Sequence, residues 1–266
     1  RGLAADGLIL DFEDAVAPDA KVEARALVAA ALKEGGYGLR EILVRTNGLE
    51  TPWGQADIAA VAAMPAQGVL LPKVESADAV RKAEAILNAA DASPDMAIWC
   101  MIETPLGILN IKEIAQGSPR LGGFVMGTSD LAKDLHCLHT PERLPFITSL
   151  NMAVLAARAY GLAILDGVHL DLADDEGFAA SCRQGLELGF DGKTLIHPKT
   201  IDMANSVFGP SETEIAWSRK IIDAHAAAAA EGKGVVVVDG KLVENLHVEN
   251  ARRIVSLADM IAEMQT

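Results

Sequence analysis

A (β/α)8 barrel is the fold class that the sequence predicts, with a C-terminal extension of a helix, a hairpin and a second helix. Of the 266 residues, 50% are apolar but 4% are aromatic, a balance typical of a helix-covered sheet. Seven strand-like runs each precede a helical pattern, at a spacing of roughly 25–35 residues. These runs are continuously apolar rather than alternating, which is typical of parallel strands buried on both faces.

The predicted strands follow one another along the first 200 residues. They span 7–13, 41–48, 68–75, 96–105, 122–130, 162–169 and 189–198. Helical sequence follows each of them, as in DAKVEARALVAAALKE after the first strand. Ser76 is the predicted N-cap of the helix that follows the third strand.

The strand count is one short of eight. Residues 1–6, RGLAAD, resemble the last turns of a helix with no strand before it. We therefore expect the first strand and part of its helix to be missing from this sequence. A seven-stranded open sheet with a ragged N-terminus is the alternative.

The pattern changes after residue 210, so we expect a barrel domain at 1–209 and an extension at 210–266. The extension begins with a helical stretch at 211–233. VVVVDGKLVE then predicts a hairpin with Asp239-Gly240 at its turn. Four consecutive valines need burial on both faces, which a lone two-stranded ribbon does not provide. We expect the extension to contact a neighbouring subunit of a homo-oligomer.

Charge and composition exclude several classes of partner. The formal net charge is −14 and the pI is near 4.8, which disfavours nucleic acid and an anionic membrane surface. No apolar run approaches the ~18 residues that span a bilayer. The cysteines, Cys100, Cys137 and Cys182, have no metal-type spacing and are typical of reduced thiols. We expect a cytoplasmic protein.

Every predicted strand ends in a polar or ionisable group. In barrels of this class, catalytic residues lie at the carboxyl ends of several strands, so these side chains predict one polar pocket. They are Asp11, Glu13, Asp14, Arg45, Asn47, Lys73, Glu75, Glu103, Asp130, Asp166 and His197.

Acids outnumber bases in this predicted pocket. Clustered carboxylates repel one another, and a divalent cation would relieve that repulsion. Two or so carboxylates with open positions suit Mg²⁺, whereas the scarcity of His and Cys disfavours zinc. Arg45 is suited to a substrate carboxylate or a developing oxyanion. No P-loop or GxGxxG follows any strand, so a nucleotide cofactor has no obvious cradle.

These residues carry a family resemblance. LILDFEDAV, VRTNG, LPKVE, MIETPLGILN, DGVHLDLADDEGF, KTLIHPKTI and VVDGKLVE resemble the citrate lyase beta-subunit-like family of the HpcH/HpaI aldolase group. GTSDLAKDL resembles the branch of malyl-CoA lyase, citramalyl-CoA lyase and malyl-CoA thioesterase. The resemblance implies a trimer or a dimer of trimers that acts on an acyl-CoA and a 2-oxo acid. The family's opening strand, which helps to hold CoA, is absent.

The resemblance also implies residue roles. Glu103 and Asp130 would hold Mg²⁺, with Mn²⁺ as a substitute. Arg45 would face the reacting carbonyl, and Asp239 would be the acid or base from an adjacent subunit. Caps or salt bridges are the alternative for the two ligands, an ion pair with Glu13 or Asp14 for Arg45, and an ordinary turn for Asp239.

Other groups are expected to support these. The backbone N–H groups of Gly127, Thr128 and Ser129 are expected to bind the oxo-acid carboxylate as an anion nest. Glu13, Asp14 and Lys73 are expected to surround the principal residues, and Lys73 and Glu75 are also candidates to pair with each other.

Three function classes stay open. The first is a Mg²⁺-dependent lyase that cleaves or forms a C–C bond in a malyl-CoA, methylmalyl-CoA or citramalyl-CoA type substrate. The second is a (3S)-malyl-CoA thioesterase with the same site. The third is a citrate lyase beta subunit that acts on a carrier-protein thioester.

Overall fold

The structure, a computed structural model, describes residues 1–230 and 232–264. It divides into two compact units, here called the barrel unit (Arg1–Ala204) and the C-terminal unit (Asn205–Thr266), and each is described by itself. Residues 231, 265 and 266, which fall in the predicted extension, lie outside the described part of the chain.

The barrel unit contains one parallel sheet of seven strands in sequence order, curled into a half-barrel. All seven predicted strand segments are confirmed, and β1 and β7 are the outer strands of the sheet. The strands are β1 Gly7–Asp11, β2 Glu41–Arg45, β3 Gly68–Leu71, β4 Ala97–Ile102, β5 Leu121–Met126, β6 Ala163–Asp166 and β7 Gly192–Lys193.

Helices connect successive strands, as parallel pairing requires. They are α1 Lys21–Glu34, α2 Gly54–Ala62, α3 Ala77–Ala89, α4 Pro105–Leu109, α5 Ile111–Ile114, α6 Thr128–Leu135, α7 Ile147–Tyr160, α8 Asp175–Leu188 and α9 Ile201–Phe208. The predicted cap of α3 is confirmed, because Ser76 Oγ accepts a hydrogen bond from Ala79 N. Within the described residues, no helix combines the length and apolar character needed to cross a bilayer.

Apolar side chains of neighbouring strands pack together inside the curl of the sheet. Leu43, Leu70, Trp99 and Val125, from four consecutive strands, form one buried cluster. Strands β2 to β5 are largely buried, which agrees with their continuous apolar runs, whereas the outer strand β1 is more exposed, with Ile9 36% exposed.

The helical prediction for residues 1–6 is wrong. The segment is irregular, and Asp6 O accepts a hydrogen bond from Glu41 N at 3.0 Å. Leu3 O accepts from Arg40. These bonds draw the segment alongside β2 and leave its carbonyls engaged outside a helix.

The C-terminal unit is a helix, a hairpin and a helix, as expected. Its elements are α10 Glu212–Ala230, β8 Val236–Val238, β9 Lys241–Val243 and α11 Asn245–Met264. Asp239 and Gly240 form the turn with φ of 49° and 77°, the pair of positive values that a type I′ turn requires.

One face of the hairpin is buried within its own unit. Val238 and Val243 pack with α10 and α11 in a cluster that includes Ile221. On the other face, Val237 is 65% exposed and Val235 is 47% exposed. The expectation of burial on both faces therefore holds for one face within this unit.

Candidate active site

The predicted strand-end residues of the barrel unit share one edge of the sheet, here called the carboxyl edge. Asp11 is in register with Arg45, and Asp166 with Lys193. The ends of β4 and β5 are also in register, at Ile102 and Met126, so Glu103 and the start of α6 follow side by side. Parallel pairing in sequence order thus gathers the polar side chains along one rim.

Arg45 is held by carboxylates on the segment that follows β1. Its Nε and Nη2 donate to the two oxygens of Asp11 at 2.7 and 2.6 Å. Its Nη1 lies 2.8 Å from Glu13 Oε2 and 3.5 Å from Asp14 Oδ2. The ion pair that was the alternative for Arg45 is present, and Asp11 is a partner that the sequence reasoning did not assign.

These contacts shift the pKa values of the partners in opposite directions. Burial alone would lower the pKa of Arg45, but Asp11, Glu13 and Asp14 outweigh it and raise that pKa. Burial would raise the pKa of Asp11, but the hydrogen bonds from Arg45 and from backbone N–H groups bring it below its usual value. Burial raises the pKa of Glu13, against the opposing charges of Arg45 and Lys73.

A buried network holds the segment that carries these acids. Lys21 Nζ donates to Phe12 O at 2.8 Å and to Glu13 O at 2.7 Å. Asn47 Nδ2 donates to Phe12 O at 3.0 Å and to Asp57 Oδ2 at 2.6 Å. The backbone of Phe12 and Glu13, between Asp11 and Asp14, is therefore held by buried hydrogen bonds.

Asp57 was not predicted from the sequence. It is fully buried on α2, accepts from Asn47 and pairs with Arg25. The sequence feature that could have identified Asp57 is a single acid in the mostly apolar helical sequence GQADIAAVAAM. A buried charge needs partners, so such an acid predicts a network. The predicted pocket consists of strand-end residues, whereas Asp57 lies on a helix.

Glu103 is a buried acid at this edge. It is 2% exposed, and its Oε1 accepts a hydrogen bond from Lys73 N at 2.8 Å. Burial raises the pKa of Glu103 to about 7, the Lys73 N–H opposes that rise, and the charges of Glu13 and Asp130 add to it. Among the described contacts of its carboxylate, no side-chain cation forms an ion pair.

Gly127 makes room for this carboxylate. A Cβ at Gly127 would lie 2.3 Å from Glu103 Oε2 and 2.4 Å from Glu103 Cβ. Real carbon atoms do not approach so closely, so any larger residue at 127 would displace the Glu103 side chain. The glycine before TSD therefore belongs to the geometry of the acid on the neighbouring strand.

Lys73 lies between the two groups of acids. Its Nζ is 3.7 Å from Asp130 Oδ1 and 3.9 Å from Glu13 Oε1. Its backbone is left-handed, with φ of 48°. The pairing of Lys73 with Glu75 that we considered is replaced by contacts with Asp130 and Glu13.

The donor set fits a magnesium-type cation. Within residues 1–230 and 232–264, no three His, Cys, Asp or Glu side chains are arranged to hold a metal ion. Glu103 and Asp130 provide two carboxylates, and Mg²⁺ in proteins is commonly held by one or two carboxylates with water or substrate completing the shell. Glu13 is a third carboxylate at this edge, but its Oε2 lies 2.8 Å from Arg45 Nη1 and is paired there.

Of the three backbone N–H groups expected to form the anion nest, at Gly127, Thr128 and Ser129, that of Gly127 is not free. Gly127 N–H donates to Ile102 O at 3.2 Å and is engaged in the sheet. Thr128 and Ser129 lie in the first turn of α6, where helix geometry leaves N–H groups without intrahelical partners. An anion at this position would therefore use the amides of α6.

Two further strand-end residues have structural roles. Asp166 accepts from Arg143 Nη1 at 2.8 and 2.7 Å and from Lys193 Nζ at 2.8 Å. Arg143 belongs to the loop after α6, which Asp166 anchors. His197 Nδ1 accepts from Lys199 N at 3.1 Å, a hydrogen bond that caps the next turn.

Asp239 lies in the C-terminal unit, at the tip of the hairpin. Its carboxylate is exposed and forms an ion pair with Lys220 Nζ at 2.6 Å. The ordinary turn that we weighed is present, since Asp239 has the positive φ of a type I′ turn. Any proton transfer by Asp239 requires this ion pair to open.

Comparisons with known proteins agree on one group. The sequence profile of HpcH/HpaI aldolase/citrate lyase matches residues 2–198. A (3S)-malyl-CoA thioesterase of Cereibacter sphaeroides (strain ATCC 17025 / ATH 2.4.3) is 49% identical over 98% of this chain and 90% of its own. An L-malyl-CoA/beta-methylmalyl-CoA lyase of Cereibacter sphaeroides (strain ATCC 17029 / ATH 2.4.9) is 35% identical over 97% and 89%.

The fold is shared with a solved structure. Protein CitE from Mycobacterium tuberculosis, in complex with magnesium, acetoacetate and coenzyme A, superposes with a TM-score of 0.73 and 30% identity. The match covers 96% of this chain and 91% of that one.

Proposed function

The chain belongs to the HpcH/HpaI aldolase/citrate lyase family, and from this premise we propose that it hydrolyses the thioester of (3S)-malyl-CoA. The observation that carries the choice within the family is the 49% identity with a (3S)-malyl-CoA thioesterase along 98% of the chain. In this reaction, the oxygen of water bonds to the thioester carbon, the C–S bond breaks, and CoA leaves as the thiol beside free malate.

We propose Glu103 and Asp130 as the ligands of a magnesium ion, for which Mn²⁺ is the substitute. The related CitE structure contains magnesium, and here Glu103 follows β4 while Asp130 lies in the first turn of the helix that follows the neighbouring strand β5. A divalent cation at this position supplies a Lewis acid for substrate oxygens. Gly127 and the Lys73 N–H hold Glu103 in place for that purpose.

The other proposed residues stabilise developing charge, bind the substrate or transfer a proton. Arg45, positioned by Asp11 and Glu13, directs its guanidinium charge at the negative charge that develops on the thioester oxygen. The first-turn amides of Thr128 and Ser129 bind the substrate carboxylate. Asp239 exchanges the proton with water.

C–C bond cleavage is the second candidate, supported by the relative named L-malyl-CoA/beta-methylmalyl-CoA lyase. Cleavage of the C2–C3 bond of malyl-CoA would release glyoxylate and leave the enolate of acetyl-CoA. Arg45 would then face the enolate oxygen, and Asp239 would protonate the carbon. The same residues serve both reactions, so product analysis distinguishes them.

The test is to incubate the protein with (3S)-malyl-CoA and Mg²⁺ and to measure thiol, malate, glyoxylate and acetyl-CoA. We expect thiol and malate in equal amounts, no glyoxylate, and loss of turnover in excess EDTA. Glyoxylate and acetyl-CoA in equal amounts would replace this proposal with the lyase. Turnover of a carrier-protein thioester alone would identify a citrate lyase beta subunit, and methylmalyl- and citramalyl-CoA complete the panel.

We also propose a homo-oligomer, trimeric at minimum, in which Asp239 serves a neighbouring subunit. The exposed valines of the hairpin and the exposed position of Asp239 at its tip support this arrangement. Mixing an Asp239→Ala chain with a Glu103→Ala chain, each inactive alone, should restore part of the activity. No recovery after verified subunit exchange would mean that Asp239 serves its own barrel or none.

A further inference from the structure

Lys73 is fixed at its backbone and loosely held at its ammonium. The N–H donates to Glu103 Oε1 at 2.8 Å, and the backbone is left-handed, with φ of 48°. The Nζ lies 3.7 Å from Asp130 and 3.9 Å from Glu13, longer than a hydrogen-bonded ion pair. The side chain is 40% exposed, so the ammonium can leave for solvent without a desolvation penalty.

The charges around Lys73 explain why an ammonium is held there. Glu103, Asp130 and Glu13 place three carboxylates at this part of the edge, and Arg45 pairs with Glu13 at 2.8 Å as well as with Asp11 at 2.6 Å. Burial would lower the pKa of Lys73, but Asp130 and Glu13 outweigh it and raise that pKa. The ammonium thus neutralises part of the charge that a divalent cation would neutralise.

Lys193 shows what a permanent counter-ion looks like in the same sheet. Its Nζ is 2.8 Å from Asp166 Oδ2, and its side chain is fully buried. Removing that ammonium would leave a buried charge, whereas Lys73 has neither the short contact nor the burial.

We propose that Lys73 is the counter-cation of the metal-free site and that its ammonium competes with the divalent ion for Asp130, one of the two proposed ligands. The inference rests on the proposed metal site. When the metal binds, the ammonium moves to solvent, while the Lys73 N–H keeps Glu103 in position. The competition weakens metal binding and keeps the charge of Asp130 partly neutralised between metal-bound states.

The test measures Mn²⁺ binding by calorimetry to the full-length, metal-depleted protein and to its variants. Lys73→Met should bind Mn²⁺ at least about tenfold more tightly, because a unit charge about 4 Å from a ligand oxygen is removed. Lys73→Arg should stay within about threefold of the wild type, since it keeps the charge.

Lys133→Met is the matched control. Lys133 Nζ lies 3.8 Å from Asp130 Oδ1, the same distance range as Lys73, but its side chain is 73% exposed. We expect a change within about twofold, because solvent screens an exposed charge. Equal tightening in both lysine variants would overturn the specific role of Lys73, as would unchanged or weaker binding in Lys73→Met.

A second measurement needs no variant. Isotope-coded acetylation of the wild-type protein, read by mass spectrometry, should show Lys73 more reactive with Mg²⁺ than with EDTA, with Lys133 as the internal reference. Unchanged or reduced reactivity of Lys73 would overturn the inference. If neither the wild type nor any variant binds Mn²⁺, the proposed metal site itself fails, and the inference fails with it.

Discussion

Two acids buried at the carboxyl edge, Asp166 and Glu103, differ in how their charge is compensated. Asp166 is 0% exposed and is bonded to Arg143, Lys193 and Gly167 N. Glu103 is 2% exposed and accepts one backbone N–H, while neighbouring acids add negative charge.

The difference distinguishes a carboxylate whose charge is fully paired within the fold from one whose charge is not. Full compensation makes Asp166 an anchor for the loop that carries Arg143, and nothing is left for a ligand to satisfy. Incomplete compensation makes the ionised form of Glu103 unfavourable in the metal-free fold, and a bound cation would relieve that cost. The number of partners, rather than burial alone, distinguishes the two acids.

The largest expected effect is the loss of Asp166. Asp166→Asn leaves Arg143 and Lys193 as buried charges without their carboxylate, so we expect the free energy of unfolding to fall by about 3–5 kcal/mol. Urea denaturation measures it. The matched control is Asp191→Asn, whose exposed ion pair with Arg158 lies at 2.6 Å and should contribute about 1 kcal/mol or less. Similar losses in both variants would remove the distinction.

Glu103→Gln should raise the free energy of unfolding of the metal-free protein, the opposite direction to Asp166→Asn. The pKa of Glu103 is raised from 4.5 to about 7 in the fold, so its stabilising contribution is present below 4.5 and is lost as pH rises through about 7. The variant should therefore exceed the wild type by about 2–3 kcal/mol at pH 8 in EDTA, and by little at pH 4.5.

Denaturation at the two pH values, with the exposed Glu113→Gln as control, gives the measurement. A Glu103→Gln variant that is less stable than the wild type at pH 8 would show that Glu103 is compensated like Asp166.

Substitution of Asp11 should change the free energy of unfolding by an amount between the loss for Asp166→Asn and the gain for Glu103→Gln. Its pKa is lowered from 3.8 in the fold, so its contribution is present above 3.8 and is lost as pH falls through the lowered value. We expect Asp11→Asn to lose about 1–2 kcal/mol at pH 7 and less below pH 3.8, measured by urea denaturation. Asp14→Asn, whose carboxylate is more exposed and 3.5 Å from Arg45, is the control and should change little. Equal effects would contradict the role of the Asp11 pair.

The sequence predicted the elements that depend on periodicity. Seven apolar runs became seven strands, and the D-G dipeptide of VVVVDG became a type I′ turn, because both signals are local. Glu103 directly follows β4, and Asp130 lies in the first turn of α6 after the adjacent strand β5, so parallel order brings both to one edge. The cation that they would share stays a prediction.

The sequence did not predict contacts between distant side chains. Arg143 reaches Asp166 from a loop, and Asp57 reaches Asn47 from a helix, so strand-end reasoning could not pair them. The proposed role of Gly127 N–H ignored that a residue just past a strand can still donate to its neighbour, as it does to Ile102.

The sequential order of the strands has a consequence for how the chain folds. Each strand from β2 to β7 pairs with the strand made just before it, so every new pairing closes one short segment of chain. During synthesis the sheet can therefore grow one strand at a time, and no strand waits for a distant partner. Glu103 emerges before Gly127 and Asp130, so its carboxylate is packed against β5 only when the fifth strand joins.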